Sequence, residues 1–296
     1  MPERGGGRLC RCVARDAWGS FEMRSFSLRA ALAAALPLLA LAACHRGSQP
    51  ARTPAPRTRA PAPASAYSTG SEVVEAMHAR YAGKWYPSLT FTQKTSRLMP
   101  NATWDVQTWY EALRLPGRMR IDFAPLSAGN GVLYARDSQF VVTNGRALRG
   151  DPGINPLLLL GFDVYANAPA RTAALLRKEG FDLTRVHEST FDGRRMIVVG
   201  ARQGDLHRKQ FWVDAERLYF VRMLEPAPRD STKMQDIRFV NYARHGGGWV
   251  APRVEIHSDG KLVFYEDYSD IETNVELDDA LFDSARWRTA KHWTAR

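Results

Sequence analysis

"KQFWVDAERLYFVRML", residues 209–224, sets two runs of strand-forming residues on either side of a four-residue turn, Asp214-Ala215-Glu216-Arg217. So short a linker between two strands implies a hairpin, and a hairpin implies an antiparallel sheet. The same rhythm extends in both directions. Downstream lie "MQDIRFVNYAR", "WVAPRVEIHS" and "KLVFYEDYSDI", separated by Gly246-Gly247-Gly248 and Asp259-Gly260. Upstream lie "TRVHESTF" and "RRMIVVGAR", joined at Asp192-Gly193. Further upstream, "LTFTQKT", "TWDVQTWYEAL", "RMRIDF", "GVLYAR" and "QFVVTNG" repeat it, with a turn at Asp137-Ser138. In "RMRIDF", Met119, Ile121 and Phe123 fall on one face and Arg118, Arg120 and Asp122 on the other.

Helical spacing interrupts this pattern in three places. Thr69 and Glu72 form a capping box ahead of Val73, Val74, Met77 and Tyr81, and Gly83 and Pro87 end that helix. Asn155-Pro156 supplies an N-cap and first helical position before "LLLLGF". A further helix is expected from about Ala168 to Glu179, stopped by Gly180. One helix before the sheet and two in its middle would cover one face, so the class is α+β.

The N-terminal part is of another kind. Residues 30–43 contain only Ala, Leu and one Pro, follow Arg24 and Arg29, and end at Cys44. The run is too short to span a bilayer, which takes roughly 20 residues, and its flanks are those of a secretory signal peptide. Leu41-Ala42-Ala43-Cys44 resembles a bacterial lipobox, which makes Cys44 the expected site of lipidation. Residues 23–43 are then the signal peptide and residues 1–22 a leader or mis-assigned start. Residues 44–67, rich in Pro, Ala and Arg, form a tether with little to bury. The folded domain is expected over 68–296. His45 stands where an Asp usually retains bacterial lipoproteins at the inner membrane, so the outer membrane is the expected location.

The net charge of +10 does not describe that domain. Residues 1–67 hold ten Arg against three acidic residues, which leaves a net of only +3 for the rest. With no zinc-finger spacing and no RNP-like motif, nucleic acid is not an expected partner. The seven His form no H-E-x-x-H or H-x-H arrangement, and no cysteine follows Cys44. No G-x-S-x-G elbow, phosphate loop or carboxylate pair stands out, and Glu266 and Asp267, on opposite faces of one strand, read as solvated. The expectation is a protein with no catalytic residues, metal or cofactor.

"FTQ" after the first helix, "LPGRMRIDF", "FWVDAERLYFVRM" and "DDALF", in that order over residues 70–285, resemble the LolA/LolB-like lipoprotein-carrier superfamily. The matching positions are Phe91, Gln93, Pro116 through Arg120, Trp212, Asp214 and Phe282. The resemblance implies a strongly curved antiparallel sheet forming an unclosed half-barrel, with helices covering its concave face. Such proteins hold acyl chains of lipids or lipoproteins there and carry out no covalent chemistry.

On that basis Phe91, Met119, Ile121, Val198, Phe211, Val213, Phe220, Met223 and Phe239 are the candidate lining residues, and either core packing or a ligand accounts for them. Met119 and Met223 favour a ligand, since Met adapts to varied apolar shapes. Arg118 and Arg120 are either lid or headgroup contacts or solvated strand charges. "PLLLLGF" is either a lid or a buried helix. The expected partners are acyl chains, a membrane reached through Cys44, and a periplasmic protein. The expected role is that of anchored carrier or acceptor; a lipid sensor or partner-binding lipoprotein is the alternative.

Overall fold

The computed structural model of the chain describes residues 66–227 and 230–295. The leader, the signal peptide, Cys44 and nearly all of the tether lie outside the described residues.

Helix α1 spans Gly70–Tyr81, α2 Pro156–Gly161 and α3 Pro169–Lys178. In chain order the strands are β1 (Ser88–Leu98), β2 (Trp104–Arg114), β3 (Arg118–Phe123), β4 (Gly131–Ala135), β5 (Ser138–Thr143), β6 (Arg146–Ala147) and β7 (Asp151–Pro152). They continue as β8 (Val186–Phe191), β9 (Arg194–Val199), β10 (Gln210–Asp214), β11 (Phe220–Ala227) and β12 (Asp230–Val240). The last four are β13 (Ala243–His245), β14 (Gly248–Val250), β15 (Arg253–Ser258) and β16 (Lys261–Thr273).

Fourteen strands make one antiparallel sheet in the order β6-β5-β4-β3-β2-β1-β16-β15-β12-β11-β10-β9-β8, with β7 against β5. β13 and β14 form a separate ribbon. The sheet is open and curved, and the fold is α+β. Two meanders compose it, one from β1 to β6 and one from β8 to β16. They are joined where the first and last strands lie side by side, Leu89 opposite Thr273 and Arg97 opposite Phe264.

The local signals act as their chemistry predicts. Thr69 caps α1 by accepting from the Glu72 amide, and Glu72 returns by accepting from the Ser68 amide, 2.7 Å. Asn155 caps α2 through the amides of Leu157 and Leu158. Gly180, at φ 87°, ends the turn after α3. In the β10–β11 hairpin, the Asp214 carboxylate accepts from the amides of Glu216 and Arg217 at 3.0 and 2.8 Å and so fixes the turn. The β4–β5 turn is made by Arg136 and Asp137, both at positive φ, one residue earlier than the expected Asp137-Ser138.

Three helices cover the concave face. Gly70 of α1 lies so close to Val199 that an added Cβ would come within 2.4 Å of it. Gly161 of α2 lies over Phe239, and Tyr165 in the turn after α2 accepts from the Phe220 amide, 3.1 Å. The convex face carries a second cover that the strand pattern does not announce. Leu277, Leu281, Phe282 and Trp287, on a C-terminal segment of 3-10 turns, pack on Ala112, Leu133, Ala135 and Val142.

Candidate functional site

Strand register decides which side chains share the concave face, because directly paired residues point to the same side. Met119 lies opposite Leu113 and Tyr134, and Ile121 opposite Glu111 and Val132. Phe211 lies opposite Val199 and Met223, Met223 opposite Ile237, and Phe239 opposite Val254. Phe91 lies opposite Glu111 and stacks on Tyr268 with centroids 4.1 Å apart. Phe220 pairs with Val213 across a bulge and meets Phe239 edge to face at 5.0 Å. These residues therefore lie on one face and in one apolar cluster. Val198 is placed otherwise. It is in register with Trp212, whose neighbour Phe211 faces the helices, so Val198 points to the convex side. None of the candidate lining residues is more than 7% exposed, so each is packed against protein rather than open to solvent.

Two adjoining spaces open at the rim, beside the β2–β3 turn at Pro116-Gly117. The inner one, about 80 Å³, lies under α2 and α3 between Tyr134, Ile154, Leu158 and Leu175. It is roughly half the ~150 Å³ of an apolar cavity that accepts benzene, and is too small for an acyl chain. The outer one is a groove of about 450 Å³ lined by Arg118, Arg136, Asp279 and Phe282. Asp137 and Arg171 line both spaces, and their ion pair, with contacts of 2.7 and 2.9 Å, stands where the two meet. At the floor of the inner space, Asp163 accepts from the Gly117 amide at 2.9 Å. Burial raises its pKa from 3.8 to about 7, with the Gly117 bond and Arg171 opposing the rise.

The two arginines of β3 point away from Met119, as the alternation requires. Arg118 lines the outer groove and pairs with Asp279 at 2.7 Å. Arg120 is buried on the convex side. Its guanidinium donates to both Asp122 oxygens at 2.7 and 2.9 Å, to Trp287 O at 3.1 Å and to Leu281 O at 3.4 Å. It thus holds the C-terminal segment against the sheet.

The concave face also contains a group that the sequence reading did not find. Glu111 on β2 and Glu266 on β16 flank β1, where Gln93 and Thr95 lie between them. Glu266 is 2% exposed, which corrects its expected place in solvent. The reason is that β16 is a central strand whose concave face is covered, while Asp267 on its other face stays partly exposed. Tyr268 donates to Glu266 at 2.9 Å, and Gln93 Nε2 donates to Thr95 at 2.7 Å. Glu111 Oε2, Glu266 Oε1 and Gln93 Oε1 have no hydrogen-bond partner. Desolvation pushes both carboxyls well up from the usual carboxylate range, and Glu266 adds to the rise at Glu111. A signal was present: Glu111 is in phase with Trp109 and Leu113, and Glu266 with Phe264 and Tyr268. A carboxylate in phase with apolar neighbours on a strand faces inward.

Among the described residues no group of three His, Cys, Asp or Glu is placed to hold a metal ion, and no helix is long and apolar enough to cross a membrane.

No protein-family model and no curated protein matches the chain. Solved structures do. A DUF1329 family protein from Desulfovibrio piger is similar at 15% identity, with 74% of this chain and 98% of that chain covered and a TM-score of 0.49. A putative outer membrane lipoprotein-sorting protein domain from Vibrio parahaemolyticus is similar at 12% identity, with 74% and 98% covered and a TM-score of 0.47. A LolA superfamily protein from Nitrosomonas europaea is similar at 12% identity, with 71% and 97% covered and a TM-score of 0.45.

Proposed function

We propose that this chain is a bacterial envelope lipoprotein, anchored through Cys44 and facing the periplasm. It holds acyl chains of lipids or lipoproteins against the concave face of its half-barrel as a non-catalytic carrier or acceptor. The observation that carries this reading is the cover of that face. A largely apolar surface, running from Met119 through Phe91 to Phe239 and interrupted by the cluster of Glu111, Gln93 and Glu266, is closed at the rim by a helix of six residues, α2. Such a short helix has little stability of its own and is held by its packing. The small cavity beneath it opens towards a larger groove past one ion pair between partly exposed side chains. Moving α2 outward joins the two spaces and exposes the apolar face to a chain. Arg118, Arg136 and Arg171 around the groove suit an anionic headgroup left outside. A periplasmic protein that delivers or receives the lipid is the partner this role requires, and the outer membrane is the proposed location.

The test is direct. The full chain, purified without added lipid, is extracted with organic solvent, and non-covalent lipids are identified by mass spectrometry. A stoichiometric lipid, displaced by a fluorescent fatty acid, supports the reading. An empty protein that also fails to bind the probe overturns it.

A further inference from the structure

We infer that the cluster of Glu111, Glu266 and Gln93 on the concave face is a binding site for a primary ammonium group. Three features point to this ligand. First, the cluster has oxygens that its own donors, Tyr268 and Gln93, leave without a partner. Three buried oxygens, one from each residue, lack a partner, and among the described residues no Lys or Arg forms an ion pair with either carboxylate. A primary ammonium carries three N–H donors and no acceptor, which matches three free acceptors. Second, aromatic rings surround the carboxylates on the same face. Phe91, opposite Glu111, stacks on Tyr268, two residues from Glu266, and Trp109 meets Phe123 with centroids 4.8 Å apart. Ring faces attract an organic cation. Third, the donor set does not suit the common metal cations. Calcium takes about six to eight oxygens and magnesium a near-octahedral shell, whereas the free oxygens here number three. Gln93 Oε1 belongs to a residue with no exposed surface.

The inference rests on the acyl-chain reading for access: the cluster is buried on the concave face, and an amine reaches it when that face opens. The ligand class is then an amine-bearing amphiphile, such as a lipid with an ethanolamine head. A small soluble amine offers the same chemistry without the chain.

Calorimetric titration of the full chain with dodecylammonium, dodecanoate, butylammonium and dodecyltrimethylammonium separates these cases. Dodecylammonium is expected to bind at least tenfold more tightly than dodecanoate, and more tightly than dodecyltrimethylammonium, which has the charge without the donors. Glu111→Gln and Glu266→Gln keep the shape and remove the carboxylates, and each is expected to lower that preference. Equal affinity for dodecylammonium and dodecanoate overturns the ammonium site while leaving the acyl-chain reading in place. So does a preference that both variants retain. Butylammonium binding as tightly as dodecylammonium keeps the site but discards the chain. Failure of every amphiphile to bind overturns both. Should the variants not fold, the comparison between the two dodecyl cations on the unaltered chain still decides.

Discussion

The Arg120 guanidinium lies over the Trp287 ring, its central carbon 3.8 Å from the ring centroid, while the same group pairs with Asp122. A strand residue on the convex face and a residue near the chain's end therefore form one buried unit. Removing one partner of a buried pair leaves an uncompensated charge, at a cost of about 3–5 kcal/mol. Arg120→Met is expected to lower the melting temperature strongly and to expose the C-terminal segment to proteolysis. Arg118→Ala, which breaks a pair with the exposed Asp279, should cost less than about 1 kcal/mol. Equal effects of the two substitutions in chemical denaturation would refute this assignment.

Asp163 gives the fold a pH dependence of definite sign. In the folded chain it keeps its proton to about pH 7, whereas the unfolded chain releases it near 3.8. Its contribution is complete below the unfolded value and is lost as pH rises through the folded one, at about 1.4 kcal/mol per pH unit. Stability should therefore fall between about pH 4 and pH 7, and Asp163→Asn should remove its share of that slope while leaving the share of Glu111 and Glu266, whose pKa values are also raised. Urea midpoints measured across this range check it; a slope unchanged in the variant would be the contrary result.

Gly161 offers a way to lift α2. A Cβ at this position would lie 3.2 Å from Phe239 Cε1, so the larger Gly161→Val overpacks the contact at a cost of about 1–3 kcal/mol. If α2 is the cover of the binding face, the variant should take up a fluorescent fatty acid faster in stopped-flow mixing, despite its lower stability. Unaltered uptake would mean that chains enter elsewhere.

Attachment is expected to depend on Cys44 alone. A single acyl chain holds a protein only marginally and several hold it firmly, each buried CH₂ adding about 0.8 kcal/mol. Cys44→Ala should shift the protein from the membrane pellet to the soluble fraction. Retention after a high-salt wash would locate the anchor in another segment.

The strands were legible because a half-buried sheet writes its faces in alternation, and the turns because Asp-Gly pairs favour positive φ. "RMRIDF" is β3 residue for residue. Val198 was not legible: Met196 through Val199 are all buried, so the apolar pattern of β9 does not say which face meets the helices. The C-terminal cover escaped for a different reason. Leu277, Leu281, Phe282 and Trp287 follow neither a helical nor a strand period, and the surface they cover reads from sequence as the solvent side. The carboxylate pair escaped because Glu111 and Glu266 are far apart in the chain and meet only across β1.

The joining of the two meanders at β1 and β16 also sets the order in which the molecule can be built. Non-local strand pairs form late, since loop closure must precede any gain from pairing. During synthesis β1 has its β2 partner early but must wait for the last strand before its other edge is covered. Until then each half presents an unpaired ladder, the kind of surface on which chains aggregate. Closing that seam brings Gln93 between Glu111 and Glu266. The finished polar cluster is therefore a product of the final step of folding, and a chain truncated before β16 would possess neither the cluster nor a protected edge.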